Sequence, residues 1–147
     1  MKEIDTSHMF MAYVCKKAGV TPTTTLQCIV CVEDGRPIAG ALYDLYNTVS
    51  IHCHIWVEGT PSRAWYAAIF DYPFNQLQLH KLIGHVYSSN MEARKLDEHF
   101  GFVVEATIKD FSPEGDLLIY TMTREQCKII NDPKWQRIIE TELKEAA

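Results

Sequence analysis

The sequence has no apolar run near the roughly 18 residues that a membrane-spanning helix needs. Its start, MKEIDTSHMFMAYVCKKAGV, lacks a basic n-region, an uninterrupted apolar stretch and a cleavage site, so no secretory signal is expected. Positive charge is not in excess either: 14 Lys and Arg stand against 19 Asp and Glu, a formal net charge of -5. A general nucleic-acid binder needs a basic face, so that class is excluded, a local basic patch apart. No repeat, low-complexity tract or flexible linker divides the chain. The five cysteines, Cys15, Cys28, Cys31, Cys53 and Cys127, are odd in number and irregularly spaced. They are therefore expected as free thiols, and the protein in the cytoplasm, with no membrane attachment.

What is present is 147 residues, 47% of them apolar, enough for one domain with a real core. Disordered, collagen-like and disulfide-dominated chains are excluded by the same composition. A short helix is expected from about Ser7 to Ala18, with Phe10, Tyr13 and Val14 on one face and Gly19 as its C-terminal cap. Strands follow at Leu26–Glu33 and Ile38–Tyr46 around an Asp34-Gly35 turn, and at Ser50–Glu58. Alternation in the last sends Ile51, Cys53, Ile55 and Val57 one way and His52, His54 and Trp56 the other. Thr60 or Ser62 caps the next helix, which should end before Pro73 because proline cannot continue it.

Lys81–Tyr87 reads as an apolar strand. The helix after it has capping-box spacing at Ser89 and Glu92, a buried stripe of Ala93, Leu96 and Phe100, and a stop at Gly101. Strands Phe102–Lys109 and Leu117–Thr123 flank the turn Ser112-Pro113-Glu114-Gly115. A terminal helix is capped by Asp132 and carries Trp135, Ile138, Ile139 and Leu143 on one face. That stripe packs onto the domain or meets a second copy in a homodimer. The order gives a mixed α/β (α+β) fold: one sheet with helices on its faces.

Ser88–Phe102, SSNMEARKLDEHFGF, resembles the fourth helix of GNAT-type N-acetyltransferases: Asn90, Ala93, Leu96, Gly101 and Phe102 hold the matching places. VVEATIKDFSPEGDLLIYTM looks like that family's last hairpin, and Leu26–Glu58 like its central antiparallel strands. The Tyr72-Pro73-Phe74-Asn75 loop is similar to short acetyltransferases encoded by bacteriophages, which would place the protein in the host cytoplasm. The resemblance implies a central mixed, mostly antiparallel sheet of about six or seven strands flanked by helices, with an extra C-terminal helix. It divides a single domain, 1–147, into an abbreviated N-terminal region (1–25), an acetyltransferase core (26–123) and a helical extension (124–147). The first strand or one early helix is expected to be missing from the short region before residue 26.

By the same resemblance the chain would be an acetyl-CoA-dependent N-acetyltransferase, moving an acetyl group to a primary amine by direct attack in a ternary complex. A catalytically silent module of the same fold that engages a host or partner protein is the alternative. Three departures bear on that choice. Gly59-Thr60-Pro61-Ser62-Arg63-Ala64 has one glycine where the family turn has two. Asp97 stands where many members carry a tyrosine acid, and an ionised carboxylate is a poor donor. The N-terminal region is short.

A helix start with free amides suits a pyrophosphate, so Gly59, Thr60, Ser62, Arg63 and Ala64 are coenzyme-binding candidates; the plain reading is a capped helix with a solvated arginine. The backbone at Trp56 and Val57 would hold the pantetheine arm and polarise the acetyl carbonyl. Asn90 would bond the arm or only cap its helix. Deprotonating a lysine-like amine at neutral pH costs about 4.6 kcal/mol. His54 and His52, on one strand face, are the base candidates, with Glu58 behind them; the plain reading is hydrogen-bonded sheet histidines. Tyr87 and Tyr120 are conceivable proton donors. His52 and His54 with His85 could ligate a metal, but no metal is expected, because Cys53 points the other way. Cys28 and Cys31 face opposite sides of a strand and are core. Trp65 and Tyr66 line a channel or, more simply, the core.

Overall fold

Alternation along the strands decides which side of the sheet each helix covers. The computed structural model describes residues 1–144. It contains β1 (Lys2–Asp5), α1 (Met11–Ala18), β2 (Gln27–Glu33), β3 (Arg36–Asp44), β4 (Ser50–Val57) and α2 (Arg63–Asp71). There follow β5 (Lys81–Tyr87), α3 (Met91–Phe100), β6 (Val103–Ser112), β7 (Gly115–Thr123), α4 (Lys128–Asn131) and α5 (Pro133–Ile138). The seven strands form one sheet in the order β1-β2-β3-β4-β5-β7-β6, antiparallel at every step but β4–β5. No helix among the described residues is long and apolar enough to cross a membrane.

Inward residues of one parity, Cys28, Val30, Val32 and Leu42, bury against Met11, Val14 and Cys15 of α1. The other parity, Ile29, Cys31, Ala41, Tyr43, Ile51, Cys53 and Leu82, meets Trp65, Phe70, Phe100, Ile138 and Ile139 in the larger core. Cys28 and Cys31 therefore part to opposite faces as expected, and all five cysteines are free and buried. Trp65 and Tyr66 belong to the core: Trp65 is wholly buried and its Nε1–H donates to the Ile29 carbonyl at 3.0 Å. The Trp135, Ile138, Ile139 and Leu143 stripe packs against that same core, with Ile138 and Ile139 buried and Trp135 and Leu143 partly so.

Of the first strand and an early helix, one of which was expected to be missing, the strand is present: β1 pairs antiparallel with β2 from Lys2↔Glu33 to Asp5↔Val30. One helix, α1, then leads to β2. It starts four residues later than Ser7, because Ser7 is held by Asp5, whose carboxylate accepts from its N–H (2.8 Å) and Oγ (2.6 Å). Ser62, not Thr60, caps α2, accepting from the Trp65 N–H at 3.2 Å. α2 ends at Asp71, before Pro73 as expected, but the chain does not unwind there. It passes into a π turn, Tyr72–Gln76, where proline sits in the first turn and needs no N–H partner. Asp71 secures that turn by accepting from the side-chain amides of Asn75 (2.8 Å) and Gln76 (2.9 Å). A second π turn, Ile139–Leu143, continues α5. At α3 the cap is Asn90, which accepts from Ala93 N–H at 3.2 Å; the Ser89–Glu92 box does not form. Phe100 is buried there, while Ala93 and Leu96 are half-buried.

Gly101 ends α3 with φ of 114°, and a Cβ there would lie 2.5 Å from the Gln126 carbonyl oxygen. Gly19 ends α1 with φ of 71° but has nothing within 4 Å. Gly101→Ala should therefore cost about 3 kcal/mol in urea unfolding and Gly19→Ala only about 1. Equal losses would show that backbone crowding at Gly101 is not the cause.

Candidate functional site

β4 and β5 pair only from Ser50↔Lys81 to His52↔Ile83, and then part. Glu58 N–H donates to the Ile38 carbonyl, and hydrogen bonding alternates along an antiparallel strand. Trp56, His54 and His52 thus spend their main-chain bonds on β3, while those of Cys53, Ile55 and Val57 face β5. Beyond the fork, the amide and carbonyl groups of Ile55 and Val57 meet no strand. They look into a cleft of about 820 Å³ that opens between the two strands.

The cleft has two sides. His54 and Trp56 of β4, His85 and Tyr87 of β5 and the α1 end Lys17–Gly19 line one; Asn90, Ala93, Leu96 and Asp97 of the α3 segment line the other. Gly84 sits where the strands separate, and a Cβ there would lie at ordinary contact distance, 3.4 Å from the Cys53 carbonyl oxygen and 3.9 Å from Asp97 Oδ2.

His54, His52 and His85 share one face. The His85 ring centroid is 5.0 Å from that of His52 and 6.5 Å from that of His54. None of the three rings hydrogen-bonds another described side chain or backbone group, so they are not tied-down sheet histidines. Burial, then His85, then His52 hold His54 below the usual imidazole range. Burial and His85 lower His52 too, against a raising pull from Asp44. Among the described residues no three His, Cys, Asp or Glu side chains come together as a metal-ligand set. Sequence alone gave His85 only a metal role; matching its parity in Lys81–Tyr87 to that of His54 was the signal that joins them.

The other candidates divide. Asn90 lines the cleft and caps α3 through Oδ1, which leaves its Nδ2 group to donate. Trp56 contributes its side chain, edge-on to Tyr13 at 6.1 Å, and Val57 its backbone. Glu58 stands outside the wall, paired with Lys17 at 3.1 Å. Gly59, Thr60, Ser62, Arg63 and Ala64 do not line the cleft. Glu58 and Gly59 both donate to the Ile38 carbonyl, and Arg63 lies 3.5 Å from Glu142. Tyr120 is buried, its hydroxyl between Arg94 and Glu98 at 3.3 Å each.

Asp97 is the residue sequence reasoning valued least. Burial of its carboxyl, with a smaller push from neighbouring Glu98, raises it to about 7. The condition attached to it, that an ionised carboxylate donates poorly, is therefore eased, because the cleft favours the protonated form.

No protein-family model matches the sequence, and no curated protein matches it. Solved structures do. Spermidine/spermine N-acetyltransferase SpeG from Vibrio cholerae, in complex with manganese ions, is 17% identical, with a TM-score of 0.68 over 88% of this chain and 95% of that one. A putative phosphinothricin N-acetyltransferase is 15% identical, with a TM-score of 0.64 over 84% and 98%. Campylobacter jejuni N-acetyltransferase PseH, solved with acetyl coenzyme A, is 17% identical, with a TM-score of 0.54 over 69% and 70%. The chain has the fold of the GNAT-type N-acetyltransferases.

Proposed function

We propose that this protein transfers an acetyl group from acetyl-CoA to a primary amine, by direct attack with both substrates bound. The observation that carries the reading is the fork of β4 and β5: two unpaired main-chain segments face a cleft that has imidazoles on one side and α3 on the other. An extended thioester arm fits such a fork, because the free N–H and C=O groups of Ile55 and Val57 can bond it as a strand would. Acetyl-CoA would supply the activated acetyl group. The Val57 amide would hold its carbonyl oxygen as negative charge develops, while the Ile55 groups bond the arm farther along the strand. His54 would take the amine proton, and Asn90 Nδ2 would steady the arm from the α3 side. The similarity in fold to PseH, solved with acetyl coenzyme A, supports the coenzyme assignment. Free, buried cysteines support a reducing, cytoplasmic setting.

The silent binding module keeps one observation in its favour: the Gly59–Ala64 turn has its Gly59 amide bonded to Ile38 and its arginine near Glu142, and none of it lines the cleft. Thermal unfolding separates the readings. At about 100 times its dissociation constant, acetyl-CoA should add about 2.7 kcal/mol of stability. No shift at millimolar acetyl-CoA would sink the transferase. A shift with no thiol release on a panel of amines would favour the module.

A further inference from the structure

We propose that the acceptor is an amine carried on a flat aromatic body, an arylalkylamine, and that Trp56 and Tyr87 hold its ring from the two arms of the fork. The proposal rests on the transferase reading and names its substrate class. Strand register carries it. Ser50↔Lys81, Ile51↔Leu82 and His52↔Ile83 keep one offset, and continuing it past the last pair sets His54 opposite His85 and Trp56 opposite Tyr87. Alternation puts all four on the sheet face that α1 covers, because Leu42, the β3 partner of His54, packs against that helix. The strands have parted by then, so Trp56 and Tyr87 stand on opposite arms, with the imidazoles nearer the closed end.

Each arm is doubled by a second ring. Tyr13 of α1 meets Trp56 edge-on at 6.1 Å between centroids, and Phe111 of β6 leans on Tyr87 at 6.1 Å. These rings are not core: Tyr13 is 44%, Tyr87 40% and Phe111 48% exposed, and Trp56 is half-buried. Single exposed aromatics need no explanation, but two facing pairs at the mouth of a cleft make a joined apolar surface that a ligand would cover. A planar ring fits between them edge-on or stacked. His54 lies two residues nearer the closed end than Trp56, roughly 7 Å along the strand. A short tether from ring to nitrogen covers a span of that order.

Charge decides against a polyamine. Among the described residues Lys17 is the one charged side chain lining the imidazole side, and both carboxylates of the cleft, Glu92 and Asp97, belong to α3. Glu58 stands outside the wall, bonded to Lys17 at 3.1 Å. Lys17 Nζ also lies 5.7 Å from the centre of the Tyr13 ring, so the cation that this aromatic surface would attract is already the chain's own. A second ammonium on the acceptor would meet that lysine with no carboxylate to answer it. An uncharged ring meets rings. The transfer itself is unchanged: the neutral nitrogen bonds the acetyl carbon, the carbon–sulfur bond breaks with its electron pair on sulfur, and the proton that nitrogen sheds passes to that sulfur.

Thiol release from acetyl-CoA with 2-phenylethylamine, ethylamine and spermidine tests the proposal. A ring contact is worth up to about tenfold, so kcat/KM for 2-phenylethylamine should exceed that for ethylamine about a hundredfold, and that for spermidine at least about tenfold. Trp56→Ala or Tyr87→Ala should cut the phenylethylamine-to-ethylamine ratio about tenfold, through KM for the aromatic amine, and Tyr87→Phe should keep it. A merely structural loss lowers both amines alike, so a ratio that does not move overturns the proposal. Spermidine turned over as well as 2-phenylethylamine overturns it too, and either result leaves the transferase standing. Calorimetric titration of the same amines with coenzyme A present covers a protein that releases no thiol. There, 2-phenylethylamine bound at least about tenfold tighter than spermidine upholds the ring site while the transferase fails; equal or absent binding overturns both.

Discussion

Trp65→Ala should cost about 5 kcal/mol of folding free energy, the largest loss expected from a single core change in this chain. The ring is wholly buried in the first turn of α2, beneath which the sheet presents Ile29, Cys31 and Ala39. Removing it forfeits burial and leaves a cavity, together about 3–5 kcal/mol for a large aromatic. The indole N–H also donates to the Ile29 carbonyl at 3.0 Å, and losing that bond inside the core adds about 1 kcal/mol. Against a typical total of about 5–15 kcal/mol, the variant stands near the edge of folding. Trp65→Phe keeps most of the apolar volume but not the donor, so its loss should be about 2 kcal/mol. Urea denaturation of both reads the difference; a Trp65→Ala loss under 1 kcal/mol would mean that α2 is not anchored through this ring.

Trp65 also shows what local sequence can and cannot say. Its apolar neighbours at helical spacing were enough to put it in the core, since core packing is the default for such a residue. Its partner was not readable, because Ile29 lies 36 residues away and only the sheet brings them together. The same division runs through the fold. β5 matched its sequence-based bounds, Lys81–Tyr87, because a mostly apolar stretch between a loop and Ser88 leaves little choice. The strand Lys2–Asp5 was missed, since four residues with two acids and a lysine carry no apolar pattern and are held by pairing with β2. Pro73 did mark the end of α2 at Asp71, but not the end of helical backbone. Here the chain widens to a π turn that tolerates it, with Asp71 securing the amides beyond.

At the site, residues on one strand were legible and relations between strands were not. Alternation put His52, His54 and Trp56 on one face of β4. The β4–β5 register, which sets His85 beside them, is a parallel pairing across a helical crossover, and no turn length fixes it. Asp97 was visible only as a residue type. Its charge state depends on being packed over a glycine at the fork, a property of the assembled cleft. The Gly59–Ala64 turn is the opposite case: its helix start was correctly seen, but the Gly59 amide and Arg63 have partners that lie far along the chain.

His54→Ala should lower kcat/KM about a thousandfold at pH 7, within the usual range for a positioned general base. A lysine-like amine is protonated there, and freeing it costs about 4.6 kcal/mol. His54 can take that proton because it is itself neutral at pH 7: burial, His85 and His52 all hold it below the usual range. The acidic limb of the native profile should therefore lie below pH 6.5 and be lost in the variant. The variant's deficit should shrink as pH rises, since solvent then supplies the free amine that the ring no longer makes. His85→Ala separates a base from a packing role. Removing that neighbouring charge should let His54 bind its proton more readily, moving the acidic limb to higher pH while leaving the rate at pH 8 nearly unchanged. Asp44 acts on His52 in the opposite sense and stays in place, so it cannot produce that movement. A His85→Ala profile that does not move would mean the imidazoles do not set one another's charge. A His54→Ala variant with native kcat/KM would remove His54 as the base.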